Sequence, residues 1–98
     1  MTKNYIQYLG GYNKDNNDLN DIDKAINAIK LIDDEHGVFW VSVINEDENV
    51  IETDKHLNLA IVFDGNQSNY KARNWFEVKE FYKLLLEENF EAIKQKII

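Results

Sequence analysis

Val38-Phe39-Trp40-Val41-Ser42-Val43-Ile44 is the stretch that decides the fold, together with the two segments that follow it, Val50-Ile51-Glu52-Thr53 and Leu57-Asn58-Leu59-Ala60-Ile61-Val62-Phe63. The first segment is β-branched and aromatic, and it is apolar on both faces. A strand of that kind belongs inside a sheet, with something packed on each side or a partner on one of them. Asn45-Glu46-Asp47-Glu48-Asn49 reads as a charged turn, and Val50 to Thr53 as a short second arm. In the third segment Leu57, Leu59, Ile61 and Phe63 alternate with Asn58, Ala60, Val62 and Asp64. That period of two gives one continuous apolar face and a half-buried strand. Asp64-Gly65-Asn66 turns the chain, and Ser68 to Arg73 fits a further short strand.

Moving outward, Ile22, Ile26, Ile29 and Ile32 or Asp33 recur three and four residues apart, which predicts an amphipathic helix. Asp18 or Asn20 caps its start, and it ends before Gly37. Upstream, Tyr5-Ile6-Gln7-Tyr8-Leu9 reads as a strand closed by Gly10-Gly11, and Asn13 to Asn20 as a polar loop. Downstream, Asn74 and Glu77 have capping-box spacing, and Trp75, Val78, Phe81, Tyr82, Leu84 and Leu85 form a wide apolar stripe. A second helix starts at Asn89 and buries Phe90, Ile93 and Ile97. The expected architecture is a single α+β domain over residues 1–98. Its sheet is mixed, mainly antiparallel and of four to five strands, with one helix after the first strand and two C-terminal helices.

The 98 residues are 44% hydrophobic, enough for one core, and carry 18 acidic against 11 basic side chains, a net charge of −7. A field of that sign repels nucleic acid and anionic lipid and favours a basic partner, besides keeping the chain in solution. The absence of cysteine excludes disulfides and thiolate metal sites. No secretory leader or membrane span is expected, so the default location is the cytoplasm. Abundant Asn, ten Lys to one Arg and no Pro read as genomic base bias.

No active site is legible. His36 and His56 would need carboxylates to complete a metal site, and Asp33, Asp34, Glu35 and His36 read as the solvated end of a helix. Serine and cysteine nucleophile patterns are missing. Asp64-x-Asn66-x-Ser68 opens like a calcium loop, but the twelfth position is Trp75. Asp64 with Glu77 and Lys79 echoes a magnesium nuclease set, yet Glu77 and Lys79 fall within a helix. Gly10-Gly11 lacks the remainder of a phosphate loop. Lys71, Arg73 and Trp75, the sole basic and aromatic group, do not make an anionic protein a nucleic-acid binder. No cofactor or metal is expected, and the chain reads as no enzyme. What remains is carboxylate surface: Glu46, Asp47 and Glu48 with Glu52 and Asp54, and Asp33, Asp34 and Glu35. These are the candidate contacts for a basic protein partner, which such a surface steers into rapid association.

The layout also resembles the small α+β immunity proteins encoded beside bacterial polymorphic toxins, particularly those directed at deaminase and nuclease toxins. The resemblance runs through Gly10-Gly11-Tyr12, Ile22-x-x-Ala25-Ile26-x-x-Ile29 and Phe39 to Ile44. It continues through Leu57 to Asp64 and Trp75-x-x-Val78-x-x-Phe81-Tyr82-x-x-Leu85. It implies a cytoplasmic inhibitor without catalytic residues that neutralises a toxin by binding it, with no direct contact to nucleic acid or membrane. Two other readings share the same profile. One is a phage-type inhibitor of a defence nuclease. The other is an accessory or regulatory domain that dimerises through exposed strand edges, so the expected state is a monomer or weak homodimer.

Overall fold

The computed structural model describes residues 3–7, 13–15, 18–31, 37–45, 47–63 and 65–97. In chain order the elements are β1 (Lys3–Gln7), β2 (Asn13–Asp15), α1 (Leu19–Leu31), β3 (Val38–Ile44), β4 (Glu48–Asp54), β5 (Asn58–Phe63), β6 (Asn66–Lys71), α2 (Trp75–Leu86) and α3 (Phe90–Lys96). The strands form a six-stranded sheet in the order β2-β1-β3-β4-β5-β6. All its pairings are antiparallel. The α+β class and the helix placement match the expectation; among the described residues the sheet has more strands than expected and no parallel pair.

The added strand is β2, inside the stretch read as a loop. Asn-Lys-Asp has no strand propensity, so tertiary contacts define it. It pairs with β1 through Ile6↔Lys14. The Lys14 ammonium reaches the Asp21 carboxylate of α1 at 2.9 Å. Asp18 caps α1 by accepting from the Asn20 and Asp21 amides, while Asp21 reaches back to accept from the Asp18 amide at 2.9 Å. Asp18-x-x-Asp21 is therefore a capping box built from two aspartates. Asn74 caps α2 as expected by accepting from the Glu77 amide at 2.9 Å. The Glu77 carboxylate reaches one residue further back than usual, to the Arg73 amide at 2.9 Å, and also accepts from Tyr70 and the Arg73 guanidinium.

The side-chain alternation sorts the sheet into two faces. Ile6, Val41, Ile51 and Ile61 are register partners across four strands and all are buried. Beneath α1 and α2 they join Phe39, Leu59, Ile22, Ile29, Val78, Phe81, Tyr82 and Leu85 in one core. Phe39 stacks on Tyr82 with ring centroids 5.3 Å apart, and Phe63 meets Phe90 of α3 at 5.5 Å. These contacts put the helices on the face of the sheet that carries Ile51 and Thr53. The Tyr82 hydroxyl donates to the Ile51 carbonyl at 3.1 Å, so its 2.6 Å contact with Thr53 Oγ1 has threonine as donor.

The turn from α2 to α3 has the hydrogen bonds of a Schellman motif: Asn89 N–H to Leu84 O and Glu88 N–H to Leu85 O. Glu88 takes the left-handed position at φ +59°, where glycine is the usual residue. Glu88→Gly is expected to stabilise the domain by about 0.5–1 kcal/mol, since relief of Cβ crowding exceeds the added freedom of the unfolded chain. A lower urea midpoint for the variant would refute this.

Candidate functional site: the open face of the sheet

Residues of opposite parity face away from the helices. One cross-strand row is Tyr5, Ser42, Val50, Val62 and Gln67; the next is Gln7, Trp40, Glu52, Ala60 and Asn69. Val38 and Ile44 extend the apolar centre along β3. No helix among the described residues lies over this side, and Tyr5, Val38, Trp40, Ile44, Val50, Ala60 and Val62 are all partly exposed. Among the described residues the double-sided apolarity of β3 is thus met by helices on one side only. Ser42, in the middle, is 1% exposed beneath its neighbours, and its hydroxyl has no hydrogen-bond partner among the described residues.

Carboxylates edge this apolar centre. Glu48, Glu52 and Asp54 alternate along β4 and therefore share the open face, and Asp15 on β2 lies on the same side. Glu48 and Glu52 are exposed. The Tyr5 hydroxyl stands 3.5 Å from Glu48 Oε2. Asp54 is partly committed: it accepts from the His56 amide at 2.8 Å and from the Asn58 amide and side chain at 3.0 and 2.9 Å, which closes the β4–β5 turn around Leu57 at φ +70°. A cleft of ≈430 Å³ opens where β3 to β6 meet this turn, lined by Val38, Glu52, Asp54, Ala60, Asn69 and Lys71. Lys71 is the one cation on this face among the described residues whose side chains are placed, and its ammonium donates to the His56 carbonyl.

Of the residues expected from sequence, Glu48, Glu52 and Asp54 are brought together on β4, and Asp47 is exposed at the hairpin tip before it. Glu46, Asp33, Asp34 and Glu35 lie outside the described residues, as do His36, Asp64 and Gly10-Gly11. Trp40, Val50, Val62 and Tyr5 were not anticipated as site residues. For Trp40 the signal was the apolar character of β3 on both faces, which demands cover twice; Tyr5, Val50 and Val62 lie on other strands and join it only through the strand order.

Three carboxylates, Asp54 at the edge of this face and Asp21 and Glu77 outside it, are held below their usual pKa range. Burial opposes ionisation of Asp21, and the Lys14 ammonium and the Asp18 amide outweigh it. For Glu77 burial is outweighed by the Arg73 amide, the Tyr70 hydroxyl and the Arg73 guanidinium, and for Asp54 by Asn58 and the His56 amide. Lowered folded-state values stabilise the fold above the ordinary carboxylate range, and that contribution is lost as pH falls through them. Stability is expected to be level from neutral pH to about pH 5 and to decline below about pH 4. Urea midpoints at descending pH check this; Asp21→Asn with Glu77→Gln should flatten the decline while lowering stability at neutral pH.

Among the described residues no three His, Asp or Glu side chains converge as a metal site, and no helix is long and apolar enough to cross a membrane. Comparison of the chain with protein-family models, with curated proteins and with solved structures finds no match.

Proposed function

We propose that this chain is a protein inhibitor that acts by binding: its open sheet face docks on a basic protein partner, of the kind a nucleic-acid-acting toxin presents, and neutralises it without catalysis. One observation carries the reading. An apolar sheet surface centred on Trp40, Val50 and Val62 lies outside the helix layer and is edged by Glu48, Glu52, Asp54 and Asp15. An apolar centre supplies binding energy when water leaves it, and carboxylates around it select and steer a cationic surface. The net charge of −7 acts in the same direction at longer range. The core pattern that resembles immunity proteins supports a cytoplasmic inhibitor of this type.

The test is affinity capture from the organism that carries the gene, at low and at moderate salt. One basic toxin or nuclease, retained at low salt and reduced as salt rises, is the expected result. Recovery of no partner, or of a neutral complex indifferent to salt, would count against the proposal. With the partner in hand, Glu48→Lys with Glu52→Lys should slow association by about tenfold or more and flatten its salt dependence, without unfolding the domain. Unchanged association kinetics would place the contact elsewhere.

A further inference from the structure

Ser42 is a small side chain set among large ones on the open face. Its neighbours there are Trp40 and Ile44 along β3 and its register partners Tyr5 and Val50, all partly exposed. They form a pit with Ser42, 1% exposed, at its floor. The Ser42 hydroxyl has no hydrogen-bond partner among the described residues. The other buried polar side chains described, Asp21, Asn49, Thr53 and Glu77, are all hydrogen-bonded. A buried hydroxyl left unpaired costs stability that alanine would not, and its place in the middle of a binding face points to a partner outside the chain.

We infer that the Ser42 pit is a subsite for one arginine side chain of the basic partner, closed in the free protein by Tyr5. The inference rests on the open face being the binding surface and names what enters it. The Tyr5 hydroxyl reaches Glu48 Oε2 on β4, and β3 lies between β1 and β4, so the Tyr5 side chain crosses β3 beside Ser42. At 3.5 Å that tie is far longer than the ordinary O–H···O length of about 2.7–2.8 Å, and it is easily exchanged. Hydrogen-bonding capacity then selects the occupant. With Tyr5 turned aside, the pit presents the Ser42 hydroxyl, the Tyr5 hydroxyl and the Glu48 carboxylate, all acceptors and one of them charged. A guanidinium offers a planar fork of N–H donors, enough to bond all of them. Its charge lies against Glu48 and its flat face against the Tyr5 or Trp40 ring. An ammonium has fewer donors and no flat face, and a neutral amide has no charge to draw Glu48 away from Tyr5. Binding replaces the long Tyr5–Glu48 contact with a charge-assisted one and gives the orphaned hydroxyl its partner.

Titration of the free chain with Nα-acetyl-arginine methylamide at constant ionic strength, followed by nuclear magnetic resonance, tests this without the partner. Saturable shifts at Ser42, Tyr5 and Glu48 are expected, with a dissociation constant of roughly 1–20 mM for so small a probe. The neutral citrulline analogue should not bind. Ser42→Ala and Glu48→Gln should each weaken binding of the arginine probe by about fivefold or more. Ser42→Ala should also keep a urea midpoint equal to or above that of wild type, since it withdraws a hydroxyl that has no partner. Absence of saturation, equal binding of the citrulline analogue, or wild-type affinity in either variant overturns the inference. So does a lowered urea midpoint for Ser42→Ala, because the hydroxyl would then already be bonded in the free chain. Failure of the subsite is thus read on the chain alone, apart from failure of the open-face reading, which the capture experiment reports.

Discussion

Replacing Tyr82 with alanine is expected to lower the stability of the domain by about 3–5 kcal/mol, the usual cost of removing a buried aromatic ring. Tyr82 is fully buried, stacked on Phe39, and joins α2 to the centre of the sheet. Tyr82→Phe separates the ring from its hydroxyl. It keeps the packing but leaves the Thr53 hydroxyl, 0% exposed, without the acceptor it now has at 2.6 Å, for an expected loss of about 1–3 kcal/mol. Thr53→Val on the phenylalanine background should recover part of that loss, because it withdraws the orphaned donor. Burial drives the Tyr82 phenol pKa upward, so the hydroxyl stays protonated and the effect should be independent of pH across the neutral and mildly alkaline range. Urea denaturation of the four proteins measures each step. A phenylalanine variant as stable as wild type would mean the Thr53–Tyr82 bond contributes nothing.

The second large effect lies on the opposite face. Trp40→Ala is expected to weaken binding of the captured partner by about 30-fold or more, since a tryptophan at the centre of an interface commonly accounts for 2 kcal/mol or more, as a rough figure. Its cost to the fold should be about 1 kcal/mol, because Trp40 is already partly exposed and packs outside the main core. The Glu48 and Glu52 reversals should act chiefly on association rate, and Trp40→Ala chiefly on dissociation rate. Paired measurements by surface plasmon resonance separate the two. A Trp40→Ala variant with wild-type affinity would remove the open face from the interface.

Local chemistry explains which parts of this fold were legible in the sequence. β3 and β5 were read with boundaries correct to a residue, because runs of β-branched and aromatic side chains have few alternatives. Leu57 stands one residue before β5 because Asp54 closes the turn through its side chain. The Asn74 and Asn89 caps were visible because their acceptors act locally, on amides three residues ahead. β2 was not visible, since Asn13-Lys14-Asp15 is a strand only by virtue of β1 and Asp21. The left-handed Glu88 was equally hidden, because packing between α2 and α3 sets the turn where no glycine marks it. For the site, the alternation of Glu48, Glu52 and Asp54 was readable as soon as β4 was known to be a strand. Their apolar neighbours depend on the order of strands in the sheet, which composition and periodicity do not contain.

Methyl cross-saturation within the complex formed with the captured partner would test the central claim most directly. The expected result is attenuation at Val38, Ile44, Val50, Ala60 and Val62, with Leu31 and the helix-side methyls of Ile22 and Val78 unaffected. Attenuation confined to the outer surfaces of α1 and α2, with Val50 and Val62 silent, would contradict the assignment of the open face as the binding site.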